Sequence, residues 1–175
     1  MRELGPDHAA EVRDYGMRSR EFLAPWEPVR AADWWEPHAV HDRLSADLED
    51  VANDRSLPLW ISLAEQPDRI VGSIALRNIV RGAMHGCHVG YGLAPEAVGH
   101  GYMSEALAEI VRIAFGELSL HRVEANILPR NERSIHVVER CGFQPEGLCR
   151  RYLRIAGRWE DHVRYAIIND AMGER

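Results

Sequence analysis

The stretch Gly92 to Phe115, "GLAPEAVGHGYMSEALAEIVRIAF", constrains this chain more than any other. Gly99 and Gly101 stand one residue apart, with the strand-like run "HGCHVGYGL" before them. After them Met103, Leu107, Ile110, Val111, Ala114 and Leu118 recur at helical spacing, which predicts a long amphipathic helix. A strand, a glycine turn and a helix start make an anion site. The first backbone N–H groups of a helix lack internal partners, and the macrodipole adds partial positive charge there. Glycine lets a phosphate approach the backbone with no Cβ in the way. Val98, Gly99, His100, Gly101, Tyr102 and Met103 therefore read as a cradle for a diphosphate. Taken alone, "GHG" before a helix is equally a plain loop and helix start. No Lys-Ser/Thr pair follows, so the loop is not a P-loop. Ser104 occupies the place of the third glycine of GxGxxG, and no βαβ unit opens the chain, which disfavours a dinucleotide site.

The rest of the chain limits what such a site can serve. At 175 residues it has the length of one domain, residues 1–175, with enough apolar sequence for a core. The net charge of −6 argues against a broad face for nucleic-acid backbone. Cys87, Cys141 and Cys149 are few, odd in number and without a CxxC, so a reducing cytoplasm is expected rather than a disulfide framework. The charged start "MRELGPDHAAEV" does not read as a signal peptide, and no apolar run is long enough to span a bilayer.

Hydrophobic spacing predicts the following order. Arg2–Leu4 makes a short edge strand, and Pro6 and Asp7 open a helix running to about Arg20. Pro25, Pro28 and Pro37 break the next segment, and a second helix covers about Val40–Val51. "LPLWISLAE", a turn at "QPDR", and "IVGSIALRN" form a hairpin. The Gly-rich strand, the long helix and "HRVEANIL" as a strand come next. A short helix follows, opened by Asn131 and closed by Gly142, with Phe143 supplying the apolar contact of a Schellman end. "GLCRRYLRI", "AGR" and "WEDHVRYAII" close the chain as a hairpin. The order β α α β β β α β α β β is a mixed α/β domain.

On these segments the chain resembles the GNAT superfamily of N-acetyltransferases, whose glycine loop, Gln/Arg-x-x-Gly-x-Gly/Ala, matches Glu96–Gly101. Glu96 departs from the usual Gln or Arg. "EFLAPWEPVR", "NIVRGAMHGCHVGY", "LHRVEAN…PRNERS" with "CGFQPEGLCRRYL", and "GRWEDHV" resemble the RimJ branch of the RimJ/RimL protein N-alpha-acetyltransferases. The resemblance implies an α/β (α+β) GNAT fold. This is a mostly antiparallel sheet of six to seven strands with about four helices, splayed in the middle to hold acetyl-CoA. It implies direct acetyl transfer from acetyl-CoA to a primary amine, foremost a protein or peptide N-terminus. Partners among nucleic acids or membranes are not expected, no metal is implied, and either a monomer or a homodimer is compatible. A small amine such as a polyamine, aminoglycoside or amino acid is the alternative acceptor. A non-catalytic acetyl-CoA sensor is the alternative of another class.

The resemblance also implies roles for residues. Backbone groups of Tyr91 and Leu93 would pair with the pantetheine arm as an added strand. Asn131 would contact that arm, while its position also suits an N-cap. Many relatives carry a Tyr seven residues later as the acid for the leaving thiolate; here it is Val138. Ser134, Cys141 or water would take that role. His85, His88, Asp161 and Glu27 are candidates for the base, and each is also an ordinary hydrogen-bonding residue. Trp26, Glu27 and His88 are expected beside the acceptor. The proline-broken segment also carries Trp34 and Trp35, which either wall the groove or fill core space. "HGCH" invites a metal reading, but alternation along a strand lets only two of His85, Cys87 and His88 share a face.

Overall fold

The computed structural model describes residues 1–172. Its regular elements are α1 (Ala9–Leu23), α2 (Pro37–Ala52), β1 (Leu57–Leu63), β2 (Gln66–Val80) and β3 (Gly86–Leu93). They continue as α3 (Tyr102–Gly116), β4 (Arg122–Ile127), α4 (Glu132–Arg140), β5 (Gln144–Ile155) and β6 (Arg158–Ile168). The six strands form one sheet in the order β1-β2-β3-β4-β6-β5. Every neighbouring pair is antiparallel except β3 and β4.

The core follows from the periodicities. α3 buries Met103, Ala106, Leu107, Ile110, Val111 and Ala114, the stripe at helical spacing. That stripe packs on Ile74 and Leu76 of β2, Cys87 and Val89 of β3, and Val123 and Ala125 of β4. Burying each large apolar side chain contributes about 1.5–3 kcal/mol. A second cluster, with Val12 and Tyr15 of α1, Val40 and Leu44 of α2, and Ile70, fastens the two front helices to the sheet edge. Gly142, at φ +89, ends α4. Phe143 N–H then donates to Val138 O at 3.1 Å, and the Phe143 side chain is buried.

Two elements differ from the sequence expectation. Arg2–Leu4 forms one β-bridge, Arg2 to Trp60, rather than a strand, because Pro6 turns the chain into α1 immediately afterwards. "QPDR" is not the turn: the hairpin tip is Ala64-Glu65, and β2 begins at Gln66. Residues 66–69 are exposed: Gln66 pairs with Leu63, residues 67–69 fall in the register shift beside it, and none of them covers core.

The feature that positions the site lies mid-sheet. β3 and β4 pair over three positions only, Gly86–His88 with Arg122–Glu124. Beyond them β3 stays with β2, as far as Leu93 opposite Gly72. β4 stays with β6, as far as Ile127 opposite Val163. The sheet therefore opens as a V. Ala94 N–H donates to Val71 O at 2.8 Å. The alternation of an antiparallel ladder then turns the backbone groups of Gly90 and Gly92 toward β2, and those of Tyr91 and Leu93 into the V.

Candidate active site

The open V leads into a cleft of about 600 Å³. One wall is the glycine loop and the start of α3: Val98, Gly99, Gly101, Met103 and Ser104. The other is α4 with its cap, from Arg130 to Arg140, and the strand edge contributes Tyr91, Gly92 and Leu93. Gly99 and Gly101 hold φ +89 and +84, and a Cβ built on either meets nothing within 4 Å. The loop backbone thus faces open space in a conformation that side chains disfavour. Val98 N–H donates to Pro95 O and Glu105 N–H to Gly101 O, and among the described residues the N–H groups between them have no hydrogen-bond partner. Arg130, Arg133 and Arg140 line the same cleft, against one carboxylate, Glu132. A diphosphate fits this wall on two counts, unpaired amides and positive charge. The rings of His100 and Tyr102 stack on each other at 5.4 Å and do not line the cleft; their contribution is backbone.

Glu96 explains its own departure from the glycine-loop pattern. It accepts from Arg18 at 2.6 Å and Arg69 at 3.0 Å, tying the loop's lead-in to α1 and β2. A hydrogen bond within its own backbone, then these two guanidinium groups, hold its carboxyl below the usual range.

Asn131 caps α4: its Oδ1 accepts from Ser134 N–H at 3.2 Å. Ser134 Oγ lies 2.8 Å from Tyr91 Oη, and Tyr91 also donates to Ser134 O at 3.2 Å. Burial pushes the Tyr91 hydroxyl up to about 12, with the Ser134 bond opposing it, so the phenol stays protonated. Sequence reasoning used Tyr91 only for its backbone and missed this hydroxyl pair, which no local spacing signals. Val138 is fully buried in the core.

A second, larger groove of about 1040 Å³ lies on the other side of α1 and meets the first cleft at Leu23, which lines both. Tyr15, Ser19 and Leu23 share one face of α1 at the junction. Tyr15 donates to Gly92 O at 3.3 Å, and burial raises its pKa strongly, so it remains a donor. Trp34, Trp35 and Trp60 line the groove, as do Glu27, Arg30, Arg43 and Asp47. Glu27 pairs with Arg30 at 3.1 Å, and its backbone O accepts from Ala156 N–H at 2.9 Å, pinning the segment to the β5–β6 turn.

Several expected residues stand elsewhere. His85 is not beside the glycine loop. It precedes β3, at φ +44, while the loop follows the strand's other end, about 23 Å away at 3.3 Å per residue. Its ring sits 3.0 Å from Gly82 O. His88 lies on the groove's face of the sheet, opposite Arg77, but its Nε2 contacts buried Glu124 at 3.3 Å and it does not line the groove. Asp161 accepts from Arg151 N–H at 2.7 Å, holding a bulge in the closing hairpin where Arg151 has φ +46, and lines neither cleft. Trp26 lines the first cleft under Arg130, 5.4 Å from its ring, rather than the groove. Among the described residues no group of three or more His, Cys, Asp and Glu is placed to hold a metal.

The split sheet, glycine-loop cradle and adjoining groove define an acetyltransferase architecture, and the acetyltransferase (GNAT) domain family matches residues 1–144. The chain belongs to this family and is an N-acetyltransferase. It is 36% identical over 169 residues to the probable N-acetyltransferase YjcK of Bacillus subtilis (strain 168), covering 97% of this chain and 93% of that one. The ribosomal-protein-S5-alanine acetyltransferase of Vibrio fischeri superposes with a TM-score of 0.92 at 34% identity, covering 99% and 94%. RimJ of Mycobacterium smegmatis, in complex with CoA-disulfide, superposes with 0.89 at 32% identity, covering 99% and 83%. The mostly antiparallel six-stranded sheet with four helices is the GNAT fold.

Proposed function

We propose that the chain, acting as one domain over residues 1–175, transfers the acetyl group of acetyl-CoA to the N-terminal α-amine of a protein or peptide by direct attack. The observation that carries this reading is the opening between β3 and β4, with a cradle of unpaired amides at one side and a peptide-sized groove at the other. When bound, acetyl-CoA supplies an activated thioester. Around it the chain's residues have distinct tasks. Val98–Met103 amides hold the diphosphate, and Tyr91 and Leu93 offer their backbone groups to the pantetheine arm. The Tyr91–Ser134 hydroxyl pair donates a hydrogen bond toward the sulfur as it leaves. This takes the place of the acid that Val138 cannot supply.

The acceptor choice rests on proton chemistry. An α-amine has a reference pKa of about 7.7–8.0 against about 10.4 for lysine, a difference of about 3.5 kcal/mol in deprotonation. A half-exposed carboxylate suffices for the former. Glu27 is the predicted residue that stands in the groove near Tyr15, and it takes the amine proton directly or through water. Four arginines against three carboxylates line the groove, which disfavours a polyamine. No helix among the described residues is long and apolar enough to cross a membrane. The free cysteines agree with action in the cytoplasm, where protein N-termini are available.

The test is thiol release from acetyl-CoA with a panel of amines, with products mapped by mass spectrometry. Alanine-initiated peptides are expected to be acetylated at the α-amine, well ahead of spermidine and of blocked peptides offering only lysine. Turnover of small amines alone would overturn the reading.

A further inference from the structure

The groove holds a cation, Arg43, with no ion-pair contact of its own: Asp47, one turn further along α2, is its neighbouring carboxylate but contacts Arg77 instead. Arg30 is paired with Glu27, and Arg77 with Asp47 at 2.7 Å. Arg20 is exposed, and water solvates it. Arg43 is different. It is half-buried and has no carboxylate within ion-pair distance among the described residues. Its guanidinium lies 4.1 Å from the Trp34 ring centre and 5.3 Å from that of Trp35, and one of its N–H groups donates to Trp34 O at 3.0 Å. Burial lowers its pKa, and the charge of Asp47 only partly opposes this.

A guanidinium held against two indole rings loses little further freedom on binding, and it keeps donors in a fork that matches a carboxylate. Deeper in the same groove, Ser19 is fully buried and its Oγ has no hydrogen-bond partner. Buried hydroxyls are ordinarily satisfied, so an orphan in a groove wall points to a ligand that completes it.

We infer that Arg43 is a specificity-determining residue of the acceptor groove, which takes a carboxylate carried by the acceptor downstream of its amine. This rests on the peptide N-terminus reading above and names its substrate class: peptides with an acidic group within the first few residues. The carboxylate comes from an Asp or Glu side chain or from the C-terminus of a short peptide.

The experiment uses the full chain and amidated hexapeptides that begin with Ala and carry Glu, Gln or Lys in turn at positions 2 to 5. At one position or more, kcat/KM for Glu is expected to exceed that for Gln by about tenfold, mostly through KM. The same peptides with a free C-terminus, and free dipeptides, separate a terminal carboxylate from a side chain. Arg43→Gln should bring the Glu/Gln ratio close to one, Arg43→Lys should keep part of it, and Arg43→Glu should turn the preference toward Lys. A gain for Lys cannot come from a misfolded protein. On the wild-type enzyme, the Glu peptide but not the Gln peptide should shield Arg43 from phenylglyoxal, read by mass spectrometry. Flat ratios for every carboxylate arm, or a preference that survives Arg43→Gln, overturn the assignment of Arg43 alone. Absence of α-amine acetylation in every peptide, with turnover of small amines, overturns the peptide reading and this inference with it.

Discussion

The two clefts that meet at Leu23 are built from different materials. The donor side is backbone: two glycines at positive φ, a row of amides, and a strand edge turned outward. The groove on the proposed acceptor side is side chain: tryptophans, arginines and carboxylates drawn from α1, α2, β1 and β2 and from the irregular segment between the two helices. A ligand that never changes can be read by main-chain geometry, which substitutions elsewhere leave alone. A ligand that varies between relatives needs groups that single substitutions can replace.

The contrast sets the order of expected effects. Gly101→Val places a β-branched side chain at φ +84 and fills the cradle, so affinity for CoA should fall at least about a hundredfold by calorimetry. The strain of roughly 1–3 kcal/mol lowers the melting temperature by only several degrees. Retained affinity would break the claim that the donor side is backbone. Glu27→Gln should lower kcat/KM for an Ala peptide about tenfold at pH 7 and leave CoA affinity alone. Without a base the rate follows the free amine. The deficit should then shrink as pH rises through about 8, the reference value for an α-amine. A constant deficit across pH would assign Glu27 to structure. Tyr91→Phe removes the hydroxyl paired with Ser134. It should reduce kcat about fivefold, close to 1 kcal/mol, with KM for the peptide unchanged.

The smallest effect concerns the strut behind the loop. The Glu96 carboxyl is depressed in the folded protein, so its contribution is present above the unfolded pKa of about 4.3 and is lost as pH falls below it. Glu96 and Arg69 are both largely exposed, which limits the contribution to under about 1 kcal/mol. Glu96→Gln should therefore lower the melting temperature by about 1–3 °C at pH 7, and by progressively less as the pH is brought down through the carboxylate range, measured by scanning calorimetry.

The same contrast explains what the sequence could say. The helix after Gly101, the cap at Asn131, the end at Gly142 and the strands packed on α3 were legible because period and turn chemistry are local. The left-handed glycine turn before α3 was legible for the same reason. His85 was misplaced because a residue's strand can be read more easily than which end of the strand meets the site. That Trp26 lines the glycine-loop cleft rather than the groove could not be read, because nothing local says on which side of Leu23 a side chain falls. Tyr91 with Ser134 and Arg43 with Trp34 arise from packing between separate elements, and no spacing reports them. Arg2–Leu4 and "QPDR" failed at the sheet's periphery, where no core imposes a pattern.

The short union of β3 and β4 has a mechanical consequence. Two halves of one sheet are stitched at Gly86–His88 and then part, so a donor molecule bound as proposed between the two walls would act as a splint. Amide hydrogens flanking the gap, from Val89 to Leu93 and from Ala125 to Ile127, should exchange more slowly once it is in place. The enzyme would then be stiffer in its donor complex than on its own.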